Sequence, residues 1–250
     1  MDGVLQGHGA ARAAIEMALH DWIGKSLGVP TWRLLGLDPS AAPVSCVTLG
    51  MAEPDEMLAK LETLKDFPRL KVKLGAPGDP ARIAAVRRAA PRAELIVDAN
   101  EGWTPDDLAA NLAACAQAGV TLVEQPLPAA NDDALARIAR PLAICADESV
   151  HGCASLSALV GKYDAVNIKL DKTGGLTEAL AMAGEAERLG FTLMVGCMVA
   201  TSLALAPALL VAQRARVVDL DGALLLARDR PHGLRYEGSR VHPPTPALWG

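Results

Sequence analysis

The sequence is poor in aromatic residues, in paired cysteines and in excess charge of either sign. Only 3% of its 250 residues are aromatic, too few for a surface on which nucleic-acid bases could stack. The net charge is −5 with both signs mixed along the chain, so no basic patch indicates nucleic acid. The five cysteines contain no C-x-x-C pair, which argues against a zinc ribbon or a disulfide framework and favours a reducing compartment.

The N-terminus lacks the basic start and apolar run of a secretory signal. The longest charge-free stretch, residues 189–213, could span a bilayer by length alone. It contains Gly190, Gly196 and Pro207, which predict a buried strand followed by a buried helix instead. We therefore expect a cytoplasmic protein without membrane contact.

Short β-branched runs alternate with Ala-rich amphipathic stretches along most of the chain. Polar residues close the runs at successive spacings of 22 to 28 residues, which is the length of one β/α unit. An open doubly wound sheet would also alternate, but no G-x-G-x-x-G follows the first run. The pattern predicts an α/β fold, a TIM-type (β/α)7β barrel. Its strands are predicted at 44–49, 70–74, 95–98, 121–124, 142–146, 165–169, 192–195 and 217–219, and its helices near 55–66, 79–90, 105–118, 131–140, 153–161, 176–189 and 200–213.

Two segments fall outside the predicted barrel of residues 38–230. Residues 1–37 contain a helical pattern that ends near Gly28, followed by a short helical turn after Pro30. Residues 231–250 hold four prolines, which predict an extended tail over the surface.

Three carboxylates close consecutive predicted strands of the barrel: Asp98, Glu124 and Asp147. Catalytic residues of such barrels lie at the C-terminal ends of the strands, so these acids would crowd negative charge into one sector. Without a cation that crowding is costly, and an all-oxygen site favours a hard divalent ion such as Mg²⁺. The alternative is that each acid caps the helix that follows it.

Lysines occupy the second and sixth predicted strands. Lys71 and Lys73 are two residues apart and share one face, while Val72 and Leu74 take the other. Lys169 closes the sixth strand, which lies opposite the second in a ring of eight. Two opposed bases around a metal are typical of an enzyme that removes a proton on one side and returns it on the other.

Weaker signals follow the seventh and eighth predicted strands. Asp219 and Asp221 share one face and suit a cationic group of the substrate, such as an ammonium. Cys197 and Met198 are expected to line the pocket wall. A D-x-D pair alone is also common in turns and helix caps.

The motifs LKVKLG, IVDAN, LVEQPLP, ADES and VNIKLDKTGG occur in the order found in the muconate-lactonizing branch of the enolase superfamily. The chain resembles that branch from residue 10 to its end, and the D-x-D resembles the dipeptide epimerases within it. The resemblance implies that Lys73 and Lys169 are the acid/base pair and that Asp98, Glu124 and Asp147 hold one Mg²⁺. It places Asp219 and Asp221 on the α-ammonium of a dipeptide, Lys71 beside the substrate carboxylate, and Thr48, Cys197 and Met198 in contact with the substrate.

The resemblance implies epimerisation of the C-terminal residue of a dipeptide, of the kind that serves peptidoglycan peptide recycling, by a homo-oligomer. The same residues would serve an N-acylamino acid racemase, an o-succinylbenzoate synthase or a cycloisomerase. The sequence departs from the family in one respect. Residues 1–37 resemble only the final helices of the family's N-terminal α+β capping domain, so we expect an N-terminally truncated chain, and a non-catalytic fragment is an alternative.

Overall fold

The structure, a computed structural model, describes residues 5, 7–38, 42–64 and 66–250. Contacts between residues divide the chain into two units, which are described separately below. The first comprises residues 46–150 and 155–166 and holds the strands from β1 to the start of β6. The second comprises the described part of residues 1–45 together with residues 151–154 and 167–250.

Eight parallel strands form one sheet and follow one another in chain order. Helical segments alternate with the strands, and the predicted TIM-type β/α fold class is confirmed. Within the second unit, Ser45 forms a parallel bridge with Val218 of the last of these strands. The strands are β1 (Val47–Leu49), β2 (Arg69–Lys73), β3 (Glu94–Asp98), β4 (Val120–Glu124), β5 (Ala143–Ala146), β6 (Ala165–Ile168), β7 (Thr192–Gly196) and β8 (Val217–Asp219).

β3 illustrates why the strands form where the sequence predicts them, because most of its residues are apolar on both faces. Leu95, Ile96 and Val97 of β3 are all completely buried, as in a parallel sheet covered on both sides. A polar side chain at the end of such a strand has no competing polar neighbour within the strand. The strand ends therefore carry the chemistry of this fold.

The helices of the second unit begin with α1 (Gly9–Leu27), which ends at Gly28 in a left-handed conformation with φ 63°. Pro30 precedes α2 (Thr31–Leu34), so both elements predicted outside the barrel are confirmed. The other helices are α3 (Pro54–Glu62), α4 (Asp79–Ala89), α5 (Pro105–Gln117), α6 (Cys153–Leu156), α7 (Leu170–Thr173), α8 (Leu176–Arg188), α9 (Ser202–Leu205) and α10 (Ala208–Ala212).

Three predicted helices are wrong in part. The segment 131–140 forms only two 3₁₀ turns, Ala129–Asn131 and Asp133–Ala136, because the side chain of Asp132 is buried in contacts with another loop. The segment 200–213 is divided into α9 and α10 at Pro207, which cannot donate a helical hydrogen bond. The segment 153–161 contains α6 and then a 3₁₀ turn, Ser157–Leu159.

The expected extended surface tail is also wrong in part. Two short antiparallel strands, β9 (Tyr236–Glu237) and β10 (Arg240–Val241), form a hairpin within it. Trp249 is buried, and its indole N–H donates to the carbonyl oxygen of Met17 in α1 at 2.9 Å. The physical reason is that apolar side chains of the tail have a partner in α1. The domain limits 1–37, 38–230 and 231–250 stay predictions.

No helix among the described residues is both long enough and apolar enough to cross a membrane. The charge-free stretch contains β7, α9 and α10, as the interruption by glycine and proline predicts.

Candidate active site

Lys71 and Lys73 of β2 both lie on the face that the sequence predicts. In the register of the parallel strands, Lys71 is beside Thr48 of β1 and Lys73 is beside Asp98 of β3. Neighbours in register share a face of the sheet. Lys71 is almost fully buried, whereas the side chain of Lys73 is 31% exposed. Thr48 therefore lies next to a buried lysine, where the prediction placed a substrate contact.

Asp98 and Glu124 are direct partners in the register of β3 and β4, and both are completely buried. Glu124 is beside Cys145 of β5, and Asp147 follows Cys145 by two residues. Because side chains alternate along a strand, that spacing keeps Asp147 on the face of the other two acids. Asp147 is 3% exposed. The three predicted carboxylates thus end neighbouring strands on one face.

Lysine ammonium groups contact two of these carboxylates. Lys71 Nζ is 2.7 Å from Glu124 Oε2 and 3.0 Å from Asp98 Oδ2. Lys73 Nζ is 2.7 Å from Asp98 Oδ2 and also 2.7 Å from Asn100 Oδ1. Burial alone would raise the pKa of Asp98, but the two ammonium groups outweigh it and hold that pKa below its ordinary value.

Glu148 is a further acid beside this group. Burial and the neighbouring carboxylate of Asp147 raise the pKa of Glu148. The Nδ2 atom of Asn100 donates to Glu148 Oε1 at 3.3 Å, so Asn100 joins Glu148 to Lys73. The backbone of Asn100 has a positive φ of 43°, an uncommon conformation that is frequent at functional sites.

The donor set fits a hard divalent cation. The described residues contain no group of three His, Cys, Asp or Glu side chains already arranged as a metal cage. Lysine nitrogens instead compensate the charge of Asp98 and Glu124. Carboxylate oxygens on one face, with no sulfur or imidazole among them, are the ligands that Mg²⁺ selects. Asp98, Glu124 and Asp147 could therefore hold Mg²⁺ if the lysine contacts rearrange.

The second unit carries the remaining predicted residues. Lys169 follows β6 directly and is 8% exposed. Asn167, two residues earlier, lies so close to β7 that a Cβ atom added at Gly196 would overlap its carboxamide. Glycine at position 196 thus allows β7 to approach the strand that carries Lys169.

Asp219 ends β8 and Asp221 follows it, and both are buried, at 5% and 4% exposure. The hydroxyl of Tyr236 donates to the backbone oxygen of Leu220 between them at 2.7 Å. Burial raises the pKa of Tyr236, and Cys197 and Asp221 add to that effect. Two buried acids in one short segment favour a role in binding a cation over a role as solvated caps.

Cys197 and Met198 follow β7, and their place in the pocket wall stays a prediction. Met198 is 54% exposed and Cys197 is partly exposed. Sequence reasoning gave no role to Asn100, Gln125 or Glu148. Gln125 and Glu148 directly follow predicted carboxylates, and Asn100 lies two residues after one. This position next to a predicted metal ligand is the sequence signal that could indicate a role for them.

Comparison with known proteins places this arrangement in a family. A family model for the enolase C-terminal domain-like fold matches residues 56–247, more than half of the chain. A second model, for the N-terminal domain of mandelate racemase and muconate lactonizing enzyme, matches residues 1–36. The chain belongs to the enolase superfamily.

Two curated relatives cover most of the chain. It is 43% identical to N-acetyl-D-glutamate racemase from Pseudoalteromonas sp over 242 residues, 97% of this chain and 76% of the relative. It is 44% identical to L-Ala-D/L-Glu epimerase from Escherichia coli (strain K12) over 236 residues, 94% of this chain and 74% of the relative. Racemases and epimerases are isomerases, and this enolase-superfamily chain is an enzyme of that class.

Solved structures agree with this assignment. An enolase family member from Agrobacterium tumefaciens with homology to dipeptide epimerases, with bound sodium and L-Ala-L-Glu, has a TM-score of 0.95 and 53% identity. That match covers 100% of this chain and 78% of the other. A dipeptide epimerase from Methylococcus capsulatus, complexed with Mg and L-Arg-D-Lys, has a TM-score of 0.88 and 35% identity, covering 97% and 72% of the two chains.

Proposed function

We propose that this enolase-superfamily protein epimerises the C-terminal residue of a dipeptide of the L-Ala-D/L-Glu type in a Mg²⁺-dependent reaction. The buried acidic pair Asp219 and Asp221 is the observation that carries the substrate class. A dipeptide presents an α-ammonium group, which two buried carboxylates would bind. The named relatives that act on or bind dipeptides support the same class.

The reaction is a 1,1-proton transfer between two lysines. One of Lys73 and Lys169 takes the α-proton of the C-terminal residue, which breaks the Cα–H bond and leaves an enediolate. The other lysine gives its own proton to the opposite face of the same carbon, and the configuration inverts. Atoms and charge balance without an oxidant or reductant. General acid–base catalysis of this kind contributes about 10²–10⁴-fold.

Other groups hold the substrate and the cation. Asp98, Glu124 and Asp147 would hold Mg²⁺, which when bound neutralises the charge that develops on the substrate carboxylate. Lys71 would lie beside that carboxylate. Thr48, Cys197 and Met198 would contact the substrate at the ends of the first and seventh strands.

An N-acylamino acid racemase is the second candidate, because N-acetyl-D-glutamate racemase is 43% identical to this chain. Its substrate carries no ammonium group, so the acidic pair would have no cation to bind. The two candidates therefore differ in what Asp219 and Asp221 do.

Exchange of the α-proton in heavy water with added Mg²⁺ tests the proposal. We expect exchange of the α-proton of the C-terminal residue of L-Ala-L-Glu. This exchange should fall by at least about 100-fold in Asp219→Asn/Asp221→Asn and should not fall in the exposed control variant Asp55→Asn/Asp106→Asn. If the site double variant retains dipeptide exchange, or exchanges N-acetylglutamate in preference, the substrate assignment is wrong.

A folded protein that binds Mg²⁺ and exchanges no dipeptide would also contradict the proposal. We further propose that the protein is a homo-oligomer, located in the cytoplasm, that serves peptidoglycan peptide recycling. Size-exclusion chromatography with light scattering would test the oligomeric state, and fractionation of the cells would test the location.

A further inference from the structure

A buried polar cluster lies beside the carboxylates but takes no part in the proton transfer. Its centre is Asp132, which is 4% exposed and lies between the two 3₁₀ turns after β4. Asp132 Oδ2 accepts hydrogen bonds of 2.7 Å from Ser149 Oγ and from Tyr163 OH. Asp132 Oδ1 accepts from Lys162 Nζ at 2.7 Å. The carboxylate is thus fully engaged, as a buried charge must be.

Gln125 connects this cluster to the predicted metal ligands. It follows Glu124 directly, is completely buried and has a positive φ of 32°. The two hydrogens of its side-chain Nε2 are shared among three acceptors: Ser149 Oγ and Tyr163 OH, both at 2.9 Å, and the backbone oxygen of Leu127 at 2.8 Å. These three contacts fix the carboxamide in one orientation.

The other end of the same carboxamide holds the loop after β5. Gln125 Oε1 accepts the backbone N–H of Asp147 at 2.9 Å and that of Ser149 at 3.1 Å. The backbone N–H of Gln125 donates to the oxygen of Cys145 at 2.9 Å. Gln125 therefore joins the residue after one predicted ligand, Glu124, to the backbone of another, Asp147.

We infer that Gln125 is a positioning residue that fixes the carboxylate of Asp147 relative to that of Glu124 for cation binding. This inference rests on the proposed function, since it concerns the Mg²⁺ of that reaction. A divalent cation needs its oxygen ligands within a few tenths of an ångström of their bonding distances. Gln125 holds two backbone N–H groups of the loop that carries Asp147, and its own carboxamide is held by contacts with Ser149, Tyr163 and Leu127.

Tyr163 and Asp132 act through Gln125. Because Asp132 accepts the hydroxyl proton of Tyr163, the hydroxyl oxygen is left to accept from Gln125 Nε2. The cluster thereby fixes which end of the carboxamide faces Asp147. A purely structural cluster would stabilise the fold without any particular effect on the carboxylates.

The test measures Mg²⁺ affinity separately from stability. Isothermal titration calorimetry gives the Mg²⁺ dissociation constant of the full chain without substrate, and urea unfolding in EDTA gives its stability. Gln125→Met keeps the length of the side chain and removes all five polar contacts of the carboxamide. Tyr163→Phe removes one hydroxyl and is the milder variant if Gln125→Met fails to fold. Tyr236→Phe, at the other tyrosine of the chain, is the control, since it also removes a tyrosine hydroxyl that donates a 2.7 Å hydrogen bond, but one that does not contact Gln125.

We expect the Mg²⁺ dissociation constant to rise about 10–100-fold in Gln125→Met and several-fold in Tyr163→Phe, as found for residues that orient metal ligands. Tyr236→Phe should bind Mg²⁺ as the wild type does. A wild-type dissociation constant in folded Gln125→Met and in Tyr163→Phe overturns the inference, whatever their loss of stability. Failure of the wild-type protein to bind Mg²⁺ overturns the proposed function instead, so the two failures are distinguishable.

Discussion

Replacing Lys71 by Met is the most informative perturbation of the site, because this one ammonium contacts two buried carboxylates. Its side chain is 3% exposed, and its partners Asp98 and Glu124 are 1% and 0% exposed. At an effective dielectric constant of about 20, each contact near 3 Å attracts by about 6 kcal/mol. Removal of water from the ammonium offsets much of that attraction. Removing one partner of a buried ion pair therefore lowers the free energy of unfolding by about 3–5 kcal/mol.

Lys73→Met is the matched control. The side chain of Lys73 is 31% exposed and, within the part of the chain that the structure describes, forms an ion pair with one carboxylate, that of Asp98. We expect Lys73→Met to lower the free energy of unfolding by about 1–2 kcal/mol, because a partly solvated ion pair contributes little more than a charged hydrogen bond. Urea unfolding in EDTA, followed by circular dichroism, would measure both losses.

Added Mg²⁺ provides the second half of this prediction. A cation at 100 times its dissociation constant stabilises the folded state by about 2.7 kcal/mol. Mg²⁺ should raise the free energy of unfolding more in Lys71→Met than in the wild type. In this variant no Lys71 ammonium competes with the cation for the carboxylates of Asp98 and Glu124. Two results would refute the reasoning. One is a free energy of unfolding that falls no further in Lys71→Met than in Lys73→Met. The other is a stabilisation by Mg²⁺ that is no larger in Lys71→Met than in the wild type.

Two further predictions concern residues outside the proton-transfer site. Burial alone would raise the pKa of Asp132, but hydrogen bonds, chiefly from Lys162, outweigh it and hold that pKa below its ordinary value. The stability that Asp132 supplies is therefore present above the unfolded pKa of about 3.9 and lost as the pH falls through the lowered folded pKa. The difference in unfolding free energy between wild type and Asp132→Asn should be constant above about pH 5 and shrink below pH 4; a pH-independent difference would contradict this. Gly175→Ala should cost more than about 1 kcal/mol in urea unfolding, because φ is 132° and the new Cβ would overlap the carboxylate of Glu16. Glu16→Ala should recover part of that loss in the double variant, and no recovery would mean that the overlap is unimportant.

The sequence predicts the strands and the face of each functional residue well because both depend on local alternation. Lys71 and Lys73 fall on one face since they are two residues apart, and the apolar runs before Asp98 and Glu124 leave no other polar group. The tight ion pairs of Lys71 are not predictable in the same way. The spacing of residues along a strand predicts the face of the sheet on which a side chain lies. The partner of a charged side chain depends instead on its distance from side chains of the neighbouring strands.

Other features depend on contacts between distant residues. The hydrogen bond between Gln125 and Tyr163 joins positions 38 residues apart, so the position of Gln125 after Glu124 indicates a place near the site but not its hydrogen-bond partners. The segment 131–140 has a helical pattern, but the engagement of Asp132 by Tyr163 prevents a regular helix. The helix predicted over 200–213 is divided at Pro207, because the apolar pattern continues on both sides of a residue that cannot donate a helical hydrogen bond.

The contact between Trp249 and α1 has a consequence for the order in which the protein can be made. The indole N–H donates to Met17, 232 residues earlier in the chain. At about 5–20 residues per second, a ribosome needs about 10–50 s to add that stretch. The part of α1 that receives the indole of Trp249 therefore stays uncovered by it for at least that time, although α1 can already contact α7 and α8. During this interval a nascent chain exposes that surface to solvent.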